Sequence, residues 1–198
     1  AIPRGPPVSI AEVEKQLTKM KKGKAPGWDS VTLEHYKHGG VNMKRVIVWI
    51  MNYIMYTCDV PMYCKRGLLI PIPKGGKDGT VKDNNRGLTL LPVIYKLLEK
   101  ILIEREEAFL HDQNVISRLQ SAGQLCCSSL HTSFLAQEAI AYCVNRGMTV
   151  FKAFLDAQKA FDTVWINGLL YKLVRKGLSA NTWHLIRSGY CNFKCAVF

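Results

Sequence analysis

One carboxylate invites a chemical question before any other residue in this chain. In the stretch VFKAFLDAQKAFDTVW, residues 150–165, Val150, Phe151, Ala153, Phe154 and Leu155 read as a strand buried on both faces, with Asp156 at its end. Carboxylates are rarely buried unless they are paired, hydrogen-bonded or bound to a metal. An Asp in that position can cap a turn or helix. It can also hold a divalent ion such as Mg²⁺, which takes oxygen ligands, beside phosphates. In two-metal phosphoryl transfer one ion activates the attacking oxygen and the other steadies the leaving group. A second cluster, Lys19, Lys21, Lys22 and Lys24, lies on and just after the last turn of a first helix. There the cations can complement the helix C-terminus, or they can meet a polyanion.

The elements that must position these residues are legible in outline. Ser9 and Glu12 form a capping box, Val8 and Val13 a hydrophobic staple, and Val13, Leu17 and Met20 one apolar helix face that Gly23 can close. A short helix after Asp29 and Ser30 stops at Gly39-Gly40, and an apolar helix over 43–57 reads as a core helix. RGLLIPIPK, residues 66–74, reads as a short strand whose prolines suit an edge, followed by a Gly-, Asn-, Asp- and Lys-rich loop that reads as mobile. Ile94, Leu97, Leu98, Ile101, Leu102 and Phe109 recur at helical spacing after Pro92. Further helices are expected over about 130–145, 166–176 and 180–189, the last with Ser179 as its cap.

Composition narrows the classes. The chain has 198 residues, 48% of them apolar and 21% charged, as in a folded globular protein with a sizeable core. Its net charge of +12 is uneven: residues 1–100 hold 17 Lys and Arg against 8 Asp and Glu, while residues 101–198 hold 10 against 7. A basic half of this kind suggests a polyanionic partner, nucleic acid ahead of a membrane surface. Seven scattered cysteines with no C-x-x-C pair favour reduced thiols, no disulfide partner and an intracellular setting, with nucleus and cytoplasm not distinguished. A zinc site from His35, His38, Cys58 and Cys64 would match no standard finger spacing. The most apolar run, VIVWIMNYIMY at 46–56, is too short to span a bilayer, and no signal peptide opens the chain.

Four segments in order resemble one family. LDAQKAFDTVW resembles the first catalytic motif of reverse transcriptases, particularly those of non-LTR retrotransposons. KMKKGKAPGWDSV resembles their Lys/Gly/Ala-Pro-Gly-x-Asp segment, and LLIPIPKGGK with NNRGLTLLPVIYKLLEKIL resembles their fingers segment. LQSAGQ occupies the place of the next motif, and order and spacing match from about residue 8 onward. The chain departs from the family where Trp28 replaces Pro, Asn85 an aromatic residue, Gly87 a Pro, and Gly-Gln-Leu at 123–125 the usual Gly-Phe-Arg.

The resemblance implies an α+β chain with mostly helical fingers over 1–125, a short antiparallel sheet, and the start of a palm over 126–198 that carries the first palm strand. It implies RNA-directed DNA polymerase activity on an RNA template, a DNA primer and dNTP, with Mg²⁺. Asp156 would be a catalytic, metal-binding carboxylate. Phe161 would pack below the nucleotide sugar, and Lys74 and Arg86 would close on the triphosphate, a point charge and a planar fork for phosphate oxygens. Asp162 matches a second acidic position and reads as a structural partner or cap, and Lys19, Lys21, Lys22 and Lys24 are candidates for template backbone. Residues 163–198 hold no Asp or Glu, so the family's Tyr-x-Asp-Asp carboxylates are missing and these 198 residues alone are expected to be inactive. The alternatives are a non-catalytic, domesticated nucleic-acid-binding module and a zinc-stabilised interaction domain.

Overall fold

A computed structural model describes residues 5–112, 117, 119–122, 127–157 and 160–197. They form seven α-helices and three strands, a mixed α/β chain in two units, residues 1–107 with 166–198 and residues 108–165.

The first unit is built around a helical core. Its helices are α1 (Ile10–Lys19), α2 (Leu33–His38), α3 (Gly40–Thr57), the larger part of α4 (Val93–Asp112), α6 (Ile166–Arg175) and α7 (Ala180–Tyr190). Val13 and Leu17 of α1, Leu33 of α2, Ile47, Met51 and Ile54 of α3, Leu97, Leu98 and Ile101 of α4 and Leu185 of α7 pack into one buried cluster. Helix α1 starts where its capping box is complete: Ser9 Oγ accepts from the Glu12 amide and the Glu12 carboxylate from the Ser9 amide. It is then tied to α4. Glu104 takes Lys15 and Lys19, each at 2.8 Å, together with the Gln16 side-chain amide, and Arg105 forks onto Glu12 at 2.9 Å. At the other side of α4, Glu106 accepts from Ser179 Oγ (2.9 Å) and Thr182 Oγ1 (2.5 Å), so an anion sits at the N-terminus of α7.

Helix α3 corrects the expectation of a core helix. Only one face is buried; Val46, Trp49, Tyr53 and Tyr56, at spacings of three, four and three, form an exposed stripe, with Trp49 and Tyr53 stacked at 5.9 Å. An apolar run cannot report which of its faces the fold covers.

The sheet has the order β2-β1-β3, from β1 (Arg66–Pro73), β2 (Asn85–Leu90) and β3 (Lys194–Val197). It is mixed rather than antiparallel: β1 and β2 form an antiparallel hairpin, and β3 pairs parallel to Arg66–Leu69. β1 is therefore the middle strand, contrary to the edge reading of its prolines. The register reconciles the two, because β3 stops at Leu69 and leaves Pro71 and Pro73 beyond it. The Lys74 amide donates to Asn84 O (2.8 Å), so the even-numbered positions of β1 turn their backbone to β2. The two odd-numbered prolines face the open side, where no ladder bond is lost.

The second unit holds the end of α4 and α5 (Ser129–Val144), capped by Ser128. The expected palm strand is absent: residues 148–157 form no strand, and Phe151, Phe154 and Leu155 are exposed. Strand conformation in an apolar segment depends on a neighbouring ladder, and no described strand pairs with this one.

Candidate functional site

The hairpin brings together the two cations that the sequence singles out. Arg86 lies opposite Ile72 in the ladder, and Lys74 follows two residues after Ile72, so alternation sets both on one side of the hairpin. Arg86 is exposed, and beyond the backbone ladder bonds to β1 its guanidinium has no hydrogen bond or ion pair among the described residues. Lys74 Nζ donates to the Asp83 carbonyl at 2.7 Å, which folds that side chain back over the loop.

The loop between them is a folded turn. Asp78 accepts from the amide and hydroxyl of Thr80 (2.9 and 2.8 Å), which holds its carboxyl below the usual range. Asn84 Nδ2 donates to Asp78 O, and Asn85 Nδ2 to the carbonyls of Gly79 and Val81. Asn85, in place of the family's aromatic residue, thus cross-braces the loop. Gly87 lies tight against Leu69, where an added Cβ would come within 2.9 Å of its Cδ1.

Of the four lysines near α1, Lys19 is engaged by Glu104. Lys21, Lys22 and Lys24 are exposed beyond the helix end, and Lys22 lies near enough to Glu34 to help hold that carboxyl low, behind the larger effect of the Gly23 amide.

Asp156 and Phe161 belong to the second unit. Both are exposed, Phe161 at 94%, and Asp156 is not the buried strand-end carboxylate that its apolar neighbours suggest. Asp162 lies in an exposed turn, and residues 123–125 fall outside the described residues. Among the described residues no three His, Cys, Asp or Glu side chains gather where they could hold a metal ion, for Mg²⁺ or for the zinc site considered above. The described residues therefore gather no carboxylate set for Mg²⁺, and Asp156 would supply one carboxylate of such a set. No described cysteines are joined in a disulfide, and no described helix is long and apolar enough to cross a membrane.

Two features escape a reading of the sequence. Lys65, at the start of β1, is buried and reaches Ser188 Oγ (3.2 Å) and Asp59 (3.5 Å). The Ser188 hydroxyl, with Lys65 behind it, holds the Asp59 carboxyl low, and Ser188 Oγ also accepts from the Val60 amide at 2.9 Å. This latch fastens the root of the hairpin to α7. The other is an aromatic cluster at Trp28: its indole meets Tyr63 edge-on at 4.9 Å and carries the Arg66 guanidinium 5.2 Å from its ring centre.

The first unit is thus a helical core carrying a hairpin with Arg86 exposed on it, and the comparisons with known proteins say what such a chain resembles. Over most of its length the chain is a relative of non-LTR retrotransposon RNA-directed DNA polymerases. It is 29% identical over 191 residues to the RNA-directed DNA polymerase from mobile element jockey of Drosophila funebris, covering 96% of this chain and 21% of that protein. It is 27% identical over 189 residues to the probable RNA-directed DNA polymerase from transposon X-element of Drosophila melanogaster, covering 92% of this chain and 20% of the relative. The transposon TX1 uncharacterized 149 kDa protein of Xenopus laevis is 24% identical over 191 residues, 96% of this chain and 14% of its own length. The chain thus spans about a fifth of the length of the jockey and X-element polymerases. No family model matches it.

Proposed function

We propose that these residues are the fingers (1–125) and the start of the palm (126–198) of an RNA-directed DNA polymerase from a retrotransposon-like element. The observation that carries this reading is similarity to such polymerases along 96% of the chain. The hairpin supports it, since it presents Arg86 free and Lys74 on the same side. In this reading Lys74 and Arg86 hold the triphosphate of the incoming dNTP, and Phe161 lies below its sugar. Asp156 would be the first metal-binding carboxylate of a two-Mg²⁺ site, and the remaining carboxylates would come from outside these residues. RNA template and DNA primer are the macromolecular partners, with Lys21, Lys22 and Lys24 on template backbone. Such an activity goes with an intracellular setting.

Lys74 and Arg86 would grip more strongly as negative charge moves toward the leaving pyrophosphate, so their removal should slow incorporation more than it weakens duplex binding. The test is single-turnover incorporation at saturating primer–template, in a polypeptide that joins this segment to the acidic motifs it lacks. Arg86→Ala is expected to lower incorporation efficiency roughly 10–1,000-fold, as losing a charge-assisted phosphate contact does. Lys74→Ala should act in the same direction, and the pair should be less than additive because one hairpin carries both. Wild-type efficiency in the double variant removes both residues from the site. Weakened duplex binding with unchanged incorporation would make them surface cations of a non-catalytic nucleic-acid-binding module instead.

A further inference from the structure

The strands of the small sheet carry three cations, Arg66, Arg86 and Lys194, and no acidic residue. Arg66 is the ladder partner of Lys194, and Arg86 is the partner of Ile72, which shares its parity with Arg66. Paired residues share a face and alternate residues return to it, so all three cations lie on one side of the sheet. Arg86 marks one end. Arg66 and Lys194 mark the other, about 20 Å away at roughly 3.3 Å per residue.

At that second end stands Trp28, and its position is fixed from three directions. Gly27 packs so closely on the β2–α4 junction that an added Cβ would lie 2.6 Å from Pro92 N and 2.7 Å from the Leu91 carbonyl carbon. Trp28 Nε1 donates to Tyr63 O at 3.1 Å. Tyr63 is held in turn, its hydroxyl donating to Asp29 Oδ2 at 2.8 Å, and Asp29 also accepts from the Val31 amide. Yet Trp28 and Tyr63 remain 38% and 43% exposed. An aromatic pair fixed by hydrogen bonds and partly open to solvent, with Arg66 over the indole and Lys194 beside Arg66 in the ladder, is preorganised for a flat, anionic ligand.

We propose that Trp28, with Arg66 and Lys194 beside it, is a docking platform for single-stranded nucleic acid, a base stacking on the indole while neighbouring phosphates meet the two cations. The inference rests on the polynucleotide partner proposed above and gives it a place on the protein. Single strands fit better than duplex because stacking on a side chain requires an unpaired base face. A polyanion fits better than a protein partner because the strands hold three cations on this face and no acidic residue, and the carboxylate at the cluster, Asp29, is taken by the Tyr63 hydroxyl and the Val31 amide. Trp28 replaces the Pro of the resembling family, so the platform belongs to this chain rather than to the shared motif.

Binding of the 198-residue chain to fluorescein-labelled single-stranded RNA, single-stranded DNA and blunt duplex of equal length, read by anisotropy at fixed low salt, tests the proposal. Trp28→Ala should weaken single-strand binding roughly 5–50-fold and duplex binding less than about twofold, while Trp28→Phe, which keeps a stacking face, retains most of the affinity. Lys194→Gln should weaken every ligand and flatten the salt slope by about one counterion. Thermal melting of each variant separates lost fold from lost contact, and Trp28→Leu, which keeps bulk but has no stacking face, carries the comparison if the Ala variant unfolds. Salt-sensitive binding left unchanged by a folded variant without a stacking face at position 28, or equal losses for single strand and duplex in that variant, overturns the platform alone. A wild-type chain that binds none of the three ligands overturns both the platform and the polynucleotide reading beneath it.

Discussion

Glu104 shows how much of this fold hangs on single charged groups. Hydrogen bonds from Lys15 first, then Lys19, pull its carboxyl down to about 2 from an ordinary value of 4.5. A carboxylate with a depressed folded-state pKa stabilises the native state fully above its unfolded value, and that contribution drains away as pH falls through the folded one. The window here runs from about pH 4.5 down to about 2. Glu12, held low chiefly by Arg105, acts in the same sense. Urea denaturation of Glu104→Gln against wild type should therefore show a stability deficit at pH 7 that shrinks as the pH approaches 2. A deficit independent of pH would mean that the substitution disturbs packing rather than charge. The same three donors that hold Glu104 explain why Lys19 is the poorest template candidate of its cluster.

At the scale of elements, α4 is the strut on which the first unit is assembled. Its buried stripe of Ile94, Leu97, Leu98 and Ile101 faces the apolar sides of the other helices, and its carboxylates on two sides take α1 and α7. Leu97 is fully buried, so Leu97→Ala combines lost transfer energy with a cavity and should cost about 2–5 kcal/mol. Chemical denaturation measures it; a cost under about 1 kcal/mol would mean that the site collapses freely. Ser9→Ala removes the side-chain acceptor of the α1 cap and should cost about 0.5–2 kcal/mol by the same measurement. α7 approaches α4 at Gly189, where an added Cβ would lie 2.5 Å from the Tyr95 hydroxyl, and burial pushes that phenol's pKa well up.

The whole molecule is a polycation with its charge concentrated toward one end of the sequence. Neutralising phosphates releases counterions, so affinity for RNA or an RNA–DNA duplex should fall steeply and linearly in log–log form as salt rises. Binding that hardly changes between 50 and 200 mM salt, a range over which 6–10 phosphate contacts cost about 10³–10⁵ in affinity, would remove the basic surface from the argument. Catalysis is a different matter. With one candidate metal-binding carboxylate, the 198 residues alone should incorporate no nucleotide on a primed RNA template. Templated incorporation by the pure chain, abolished by Asp156→Ala, would show that its metal site is complete after all.

Local chemistry determined what the sequence alone could specify. The Ser9–Glu12 box, the helical period of α4 and the Ser179 cap are encoded within a few residues, and each lies where the sequence puts it. The motif order along the chain was equally legible, because similarity does not depend on packing. Tertiary structure alone decided which faces are covered. An apolar run states a preference for burial but not the supply of a partner surface, so α3 keeps an aromatic stripe in solvent and residues 148–157 form no strand. The Trp28 cluster was hidden for a related reason. Trp28, Tyr63, Arg66 and Lys194 are separated by as many as 166 positions in sequence and meet only because β3 pairs beside β1 and Gly27 seats its loop on the end of β2.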